Sequence, residues 1–443
     1  MSKLTENSQG SVWHRWDPHI HTPTTALANQ YGDSSMDDFC DAVSHCQPTI
    51  RALGITDYLS IRGYRDILSS KRLGELPDVE LLFPNVEFRL AIGTVKGSAV
   101  NAHLIFSPED RDHVKEIERF LGSLIFRHTD DEYHCTKDDL VRLGRRHKSN
   151  VTDIEAAYRE GVNQFKVDLD QLLDTLDNQG WAKNNCLIAV ASSEGDGTSG
   201  LRTADDSFTA LRRKIQAAAH IIFSANPKDR DYWLGLGTDS VQKLETEYHG
   251  PKPCLIGSDS HALARIGKHD QNRFCWIKGD LTFETLRQAC IEPLGRVQIG
   301  SEPPRGALSA QSVETLHVTH ASWMEPKEIT LNPGLVTIIG ARGSGKTALA
   351  ECIATGAYAI PSRFSEQSFV ARARDFLVQS TAQLKWANGE TTAHSLTDAQ
   401  SPREWDSPRL QYLSQHFVEE LCSAEGWPVL SIVDRDDLGR SPL

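Results

Sequence analysis

The sequence predicts an α/β protein: a closed or distorted barrel, a helical insertion on it, and a partial P-loop domain behind it. Three observations carry this reading. Short apolar runs alternate with amphipathic stretches from Ser11 to about Pro304, the pattern of βα units and a parallel sheet. Polar residues gather where those runs end, as they do at the chemical end of a barrel. Further on, a β-branched run opens onto a glycine-rich turn and then a helical stretch.

Taken in order, the runs read as strands end near Asp17, Asp57, Glu87, Ile105, Ser192, Ser224 and Ser258. That makes about seven strands. Amphipathic segments such as Met36 to Leu53 and Ser207 to Ala219 lie between them. The stretch 107–185 is long, charged and helical in pattern, with Asp168, Leu169, Leu172, Leu173 and Leu176 at helix spacing. It is expected to be an insertion on the barrel, serving as a lid, a partner surface or added packing. Ser301-Glu-Pro-Pro-Arg-Gly306 reads as a linker, placing the domain boundary near 305. The expected organisation is therefore 1–10 disordered, 11–305 barrel and 306–443 the N-terminal part of a nucleotide-binding head.

Composition limits the function classes. At 443 residues the chain is too long for one ordinary core. No apolar run reaches the length of about 18 to 20 residues that a membrane helix needs, and the N-terminus has no apolar signal-peptide core. Nine cysteines are scattered without a C-x-x-C pair, which fits reduced thiols and a cytoplasmic location. A net charge of −13 argues against a nucleic-acid binder that uses its whole surface. It leaves room for a local basic channel, and Arg142, Arg145, Arg146, His147 and Lys148 form one cluster, Arg202, Arg212, Arg213 and Lys214 another.

The candidate metal site starts at Asp17-Pro-His19-Ile-His21. On an extended strand alternate side chains share a face, so Asp17, His19 and His21 are expected to converge. Imidazole and carboxylate are ligands for Zn, Mn and Fe. Asp259-Ser-His261 repeats the pattern late in the chain. Asp57, Glu87 and His103 stand at or within other strands, and Glu194 lies in a glycine-rich turn. Arg265 and Arg202 are candidates to grip phosphate oxygens.

The candidate nucleotide site is Gly340-Ala-Arg342-Gly343-Ser344-Gly345-Lys346-Thr347, which fits G-x-x-x-x-G-K-[ST]. It follows Gly334-Leu-Val-Thr-Ile-Ile-Gly340, expected to be a buried strand, and precedes a helical run from Ala348. Glycines let backbone N–H groups wrap ATP phosphates at a helix N-terminus. Lys346 is expected on the β/γ-phosphates and Thr347 on Mg²⁺.

Asp-x-His-x-His, Thr-Asp57 after a Gly-Ile, the isolated Glu87 and His103, and the late Gly-Ser-Asp259-x-His261 together resemble the polymerase-and-histidinol-phosphatase (PHP) metallo-phosphoesterases. The resemblance implies a distorted (β/α)7 barrel with two or three Zn, Mn or Fe ions at its mouth. It implies His19, His21, Glu87 and Asp259 as ligands of a first metal, Glu87 and His103 of a second, and His261 of a third, with Asp17 and Asp57 at or just behind them. Two departures stand out: Tyr58 occupies a position where the family usually has histidine, and a later family histidine has no counterpart near Ser192 or Ser224. These leave a two-metal site, with Glu194 as a substitute carboxylate. Two cations about 3.5–4 Å apart would activate a water and stabilise charge on a phosphoryl oxygen, with Asp17, Asp57 or Glu194 relaying the proton.

Leu410-Gln-Tyr-Leu-Ser-Gln415 resembles the strand and glutamine loop of ABC/SMC-type ATPases, which makes Gln415 a metal- or water-contacting residue. No Walker B strand or signature motif follows, so a continuation of the chain or a second chain is expected to complete the head. A PHP barrel joined to an SMC-like head resembles the TrlF-type PHP–ATPase proteins of bacteria. The combined expectation is a metal-dependent phosphodiesterase or nuclease controlled by an ATP-binding head. A nucleic-acid substrate, oligomers formed through the heads and a role in anti-phage defence are expected with it. The alternatives are a scaffold that has lost its metals and a small-molecule phosphomonoesterase.

Overall fold

The computed structural model describes residues 10–128, 130–203, 206–304, 306, 308–359, 368–397 and 409–414. They fall into two compact units, the first being Ser11–Pro304.

In the first unit β1 (Trp13–His21), α1 (Met36–Ser44), β2 (Ile50–Tyr58), α2 (Arg62–Arg72), β3 (Leu81–Gly93) and β4 (Ala99–Phe106) come first. The stretch before β7 (Cys186–Ala191) holds α3 (His113–Gly122), a hairpin of β5 (Ile125–His128) and β6 (Asp131–His134), α4 (Lys137–His147), α5 (Ile154–Gln164), α6 (Leu169–Asn178) and α7 (Gly180–Asn185). Then follow α8 (Thr209–Ala218), β8 (Ile221–Phe223), α9 (Pro227–Trp233), α10 (Val241–Tyr248), β9 (Cys254–Leu255), β10 (Phe274–Lys278), α11 (Phe283–Ile291) and β11 (Val297–Gly300).

Nine strands form one sheet in the order β11-β10-β1-β2-β3-β4-β7-β8-β9. Its edge strands β9 and β11 lie against each other, so the sheet curls into a nearly closed barrel. Two expectations are corrected. The sheet has nine strands, because β10 and β11 escape the sequence pattern, and it is mixed. β3 passes to β4 through a tight turn at Thr94–Gly97 with no crossover helix, and a connection that short forces antiparallel pairing. β4 thus runs against both β3 and β7. α1 also stops at Ser44, since Ala52 and Leu53 belong to β2. It starts as its sequence directs, on a capping box between Ser35 and Asp38.

The barrel interior is one apolar cluster drawn from every strand around it. Trp16, Ala52, Phe83, Ile105, Ala189, Ile221, Leu255 and Cys275 meet there, closed below by Phe283, Leu286 and Ala289 of α11. Inward positions follow the period of two. On β3 the inward series runs Leu81, Phe83, Asn85, Glu87, from apolar floor to polar mouth. On reversed β4 it runs Ile105, then His103, and the register sets Glu87 opposite His103. That switch from apolar to polar inward residues puts the candidate site at the mouth, above the apolar floor.

In the second unit β12 (Val313–Thr319), β13 (Glu328–Thr330), β14 (Thr381–Trp386) and β15 (Thr391–Ser395) form an antiparallel sheet in the order β13-β12-β14-β15. It packs on α12 (Lys346–Gly356), with α13 (Phe369–Arg372) beside it, through Leu316, Val318, Cys352, Val370, Leu384 and Trp386. The buried strand expected over 334–340 is absent. Leu335 is 89% exposed and Ile339 86%. β-branched content gives a strand propensity, but a strand needs neighbours for its N–H and C=O groups. Among the described residues none pairs with this segment. Leu410 to Ser414 likewise form no strand, and Gln415 lies outside the described residues.

Candidate metal centre

β1 carries a bulge: between Asp17 and Ile20 it spends one residue more than β2 does. The bulged stretch includes Pro18, which has no N–H to give the ladder. The strand continues to His21, and the expected one-sided alternation of Asp17, His19 and His21 is broken. His19 and His21 reach the mouth. Asp17 turns aside, its Oδ1 accepting from the N–H of Ser258 at 2.9 Å.

The loop after β9 is sewn to the second half of β1. Besides Ser258 to Asp17, the Asp259 N–H donates to the His19 carbonyl at 2.8 Å, and the His21 N–H to the Ser260 carbonyl at 3.2 Å. Gly257 makes this approach possible, since a Cβ there would lie 2.5 Å from the backbone nitrogen of His19. Asp259 takes a left-handed turn, φ 45°, and projects its carboxylate over the histidines.

Four side chains converge. Nε2 of His19 and of His21 are 3.2 Å apart, and each is 3.4 Å from Oε2 of Glu87. Asp259 Oδ1 is 3.2 Å from His19 Nε2 and 3.6 Å from His21 Nε2. Oε2 of Glu87 is buried and accepts no hydrogen bond, while Oε1 takes one from Asn101 at 2.8 Å. His19, His21 and Glu87 form one cluster with the spacing of a cation site, and His21, Asp259 and His261 a second. An orphaned buried carboxylate oxygen facing two imidazole nitrogens is the donor set a divalent transition metal accepts. The residues fit the ion.

His103 stands beside these clusters, its ring centroid 4.6 Å from that of His19. Its Nδ1 is 3.1 Å from Oδ1 of Asn85. Asn85 also donates to the Pro18 carbonyl at 3.0 Å, so one buried amide ties β3 to both β1 and β4. Asn85 and Asn101 escape sequence reading. Their only signal is the parity that puts them inward, on β3 beside Glu87 and on β4 beside His103.

Charge pairing dominates the electrostatics. Burial opposes the imidazolium at His19, but Asp259 and Glu87 outweigh it and raise its pKa. At His21 the same contest ends at about 9. Burial likewise opposes the Glu87 carboxylate, yet the two histidines hold it well below the usual range. Asp259 falls to about 2 for the same reason. Burial, aided by the charge of His19, pushes His103 down to about 3.

The other expected site residues are spread more widely. Asp57 Oδ2 accepts from the N–H groups of Gly63 at 2.8 Å and Tyr64 at 3.4 Å, at the start of α2. Burial lifts its pKa to about 6. Asp57 and Asp17 do not border the cleft that opens over the centre. Arg265 lies on a short turn, 3.8 Å from Asp270, and borders no part of the cleft. His261 sits with Nδ1 3.1 Å from the Asp259 carbonyl and Nε2 3.3 Å from the Tyr58 hydroxyl.

A cleft of about 780 Å³ opens over the centre. His19, Glu87, His103 and Asp259 border it on one side, and Lys96, Glu194, Asp196, Arg202, Asn226 and Asp229 on the other. Glu194 is exposed and paired with Lys96 at 3.1 Å. Near Ser192 and Ser224, where the later histidine has no counterpart, both serines donate to Asp229 Oδ2, at 2.8 and 2.7 Å. Asp229 was missed in the sequence because it enters from the first turn of α9. The basic clusters are largely neutralised: Arg142 pairs with Asp139, His147 and Lys148 with Glu160, Arg213 with Glu247 and Lys214 with Asp170.

In the second unit the P-loop turns through Gly343 and Gly345, both at positive φ of 84° and 88°. Gly345 caps α12, which begins at Lys346. Nζ of Lys346 donates to the carbonyls of Gly340 and Ala341, each at 2.9 Å. Arg342, Ser344 and Thr347 complete the turn and the first residues of the helix.

The sequence profile of the AAA domain family matches residues 320–395, which take in this loop, α12 and β14. No curated protein matches the chain. Among solved structures it is similar to a crystal structure from Bifidobacterium adolescentis, provisionally described as a metal-dependent phosphoesterase. The identity is 12%, over 64% of this chain and 99% of that one, with a TM-score of 0.31. A likeness at that score bears on neither fold nor chemistry. Among the described residues no helix is long and apolar enough to cross a membrane, and none of the eight described cysteines is in a disulfide.

Proposed function

We propose that the barrel is a metal-dependent phosphoesterase of the PHP kind, acting on phosphodiester bonds of a nucleic acid under the control of an ATP-binding head. The observation that carries this is the convergence of His19, His21, Glu87 and Asp259 around a buried carboxylate oxygen that accepts no hydrogen bond. A divalent cation at this place would supply Lewis acidity toward a phosphoryl oxygen.

The chain's own residues do the rest. His19, His21, Glu87 and Asp259 would hold the first ion, with Zn, Mn and Fe all suited to the set. His103 faces a second, its Nε2 left as the lone-pair nitrogen by the Asn85 contact at Nδ1. Lys96 and Arg202 border the cleft where phosphate oxygens would lie. Glu194 is the carboxylate available on the cleft wall for proton transfer. In the head, Lys346 would exchange its two loop carbonyls for the phosphates of ATP, and Thr347 would take Mg²⁺. The pairing resembles TrlF-type PHP–ATPase proteins. A cytoplasmic role in anti-phage defence, with heads associating between copies or with a completing chain, belongs to the same proposal.

The test is a Mn²⁺-supplemented assay on single- and double-stranded DNA and RNA, with metal analysis of the purified protein. His19→Ala and Glu87→Gln serve as controls. Cleavage lost in both variants, along with bound metal, is the expected result. Hydrolysis of p-nitrophenyl phosphate without any action on polynucleotides would move the reading to a phosphomonoesterase.

A further inference from the structure

His21, Asp259 and His261 have the residue types of a cation site, yet both ring nitrogens of His261 are engaged. A carbonyl oxygen only accepts, so Nδ1, 3.1 Å from the Asp259 carbonyl, carries the proton and donates it. Nε2 is then the lone-pair nitrogen, the one a metal requires. The Tyr58 hydroxyl lies 3.3 Å from it, and a phenol facing an imidazole lone pair donates.

Packing fixes that hydroxyl in place. The Tyr58 ring is 7% exposed and stacks on His21 at 4.9 Å and 17°. His21 stacks in turn on His261 at 4.1 Å and 28°. The Arg89 guanidinium lies 5.8 Å from the Tyr58 ring centre. His21 is the middle ring of three, so the stack also sets the plane in which its Nε2 faces Glu87 and Asp259.

We propose that Tyr58 is a positioning residue that withholds His261 from metal, limiting the centre to cations served by His19, His21, Glu87, His103 and Asp259. The inference rests on the metal-dependent reading above. It turns a ligand-type histidine into a hydrogen-bonded prop, and it makes one phenolic oxygen the determinant of how many ions the mouth holds.

The test is Mn²⁺ stoichiometry of the full chain without nucleotide, by equilibrium dialysis and metal analysis. The proteins compared are wild type, His261→Gln, Tyr58→Phe and the double variant. Phenylalanine keeps the stacked ring and removes only the hydroxyl. Wild type and His261→Gln are expected to hold the same number of ions. Tyr58→Phe is expected to gain one equivalent, which the double variant loses again. A His261→Gln protein that binds one ion fewer overturns the proposal, as does a folded Tyr58→Phe protein that gains none. If circular dichroism shows Tyr58→Phe unfolded, the His261→Gln comparison decides. A wild type that binds no Mn²⁺ defeats the metal reading itself, while gain or no gain in Tyr58→Phe still decides this inference.

Discussion

Oδ1 of Asn85 lies 3.1 Å from Nδ1 of His103, and the amide nitrogen of the same side chain donates to the Pro18 carbonyl. One uncharged group thereby orients a candidate ligand and braces the bulge that presents two others. Asn85→Ala strands a buried carbonyl and a buried imidazole N–H. It should lower stability by about 1–3 kcal/mol and weaken Mn²⁺ binding roughly 10- to 100-fold. Urea unfolding and Mn²⁺ titration check both. A stability loss with unchanged Mn²⁺ affinity would remove His103 from the metal centre.

Glu87 makes the sharper test of occupancy. A ligand that binds only the folded state stabilises by about 2.7 kcal/mol at a concentration 100 times its Kd, which in a domain of this size raises Tm by roughly 5 °C or more. Wild type should show that rise with Mn²⁺, and Glu87→Gln and His19→Ala should not. An equal rise in Glu87→Gln would place the ion elsewhere.

Much of this site was legible in the sequence because its residues sit in short motifs. Asp-x-His-x-His and Asp-x-His declare ligand chemistry locally. What stayed hidden depends on how strands meet. Asn85 and His103 are 18 residues apart, and only the β3–β4 register joins them. The reversal of β4 follows from the tight turn at 94–97, a feature shorter than the helices the alternation pattern counts. The Pro18 bulge turns Asp17 away from the mouth, which strict alternation cannot foresee. Leu335 to Ile339 has strand composition without strand partners, so propensity alone misleads there.

The paired charges set a pH dependence. His21 has a folded pKa of about 9 against 6.5 for a free imidazole. Its pairing with Asp259 and Glu87 therefore stabilises the metal-free protein fully below 6.5, and the contribution is lost as pH rises through 9. Metal needs the neutral ring, so Mn²⁺ affinity should move the other way, rising roughly 50-fold from pH 7 to 9 as the His21 proton is released. Metal-free Tm should fall across that window in wild type and stay flatter in His21→Ala. Identical pH profiles for the two would mean that His21 is not protonated in the fold.

Gly257 tests the seam that closes the mouth. A Cβ there would meet the backbone nitrogen and Cβ of His19 at 2.5 Å and its carbonyl oxygen at 2.6 Å. Backbone cannot swing aside as a side chain can, so β1 and the 257–261 loop must part. Gly257→Ala should destabilise by about 1–3 kcal/mol. Because Asp259 moves with the loop, Mn²⁺ affinity should fall too. Unfolding midpoint and Mn²⁺ titration measured on one preparation check this, and a neutral substitution would show the seam to be slack.

Lys346 connects the second unit to a ligand of its own. Its ammonium bonds two carbonyls of its own loop, Gly340 and Ala341, at the start of a helix whose first N–H groups point into the same turn. Phosphate oxygens carry more negative charge than carbonyls and bind the same donors more strongly. ATP with Mg²⁺ should therefore draw Lys346 off the carbonyls and raise Tm through this unit. Lys346→Ala should lose that rise. It should keep the metal-free, nucleotide-free Tm within a few degrees, because the two bonds lost are exposed ones, worth about 1 kcal/mol together. A thermal shift series with ATP, with ADP and with Mg²⁺ alone checks it. An ATP response equal in wild type and Lys346→Ala would separate nucleotide binding from this loop, and the control of the barrel by an ATP-binding head would fall with it.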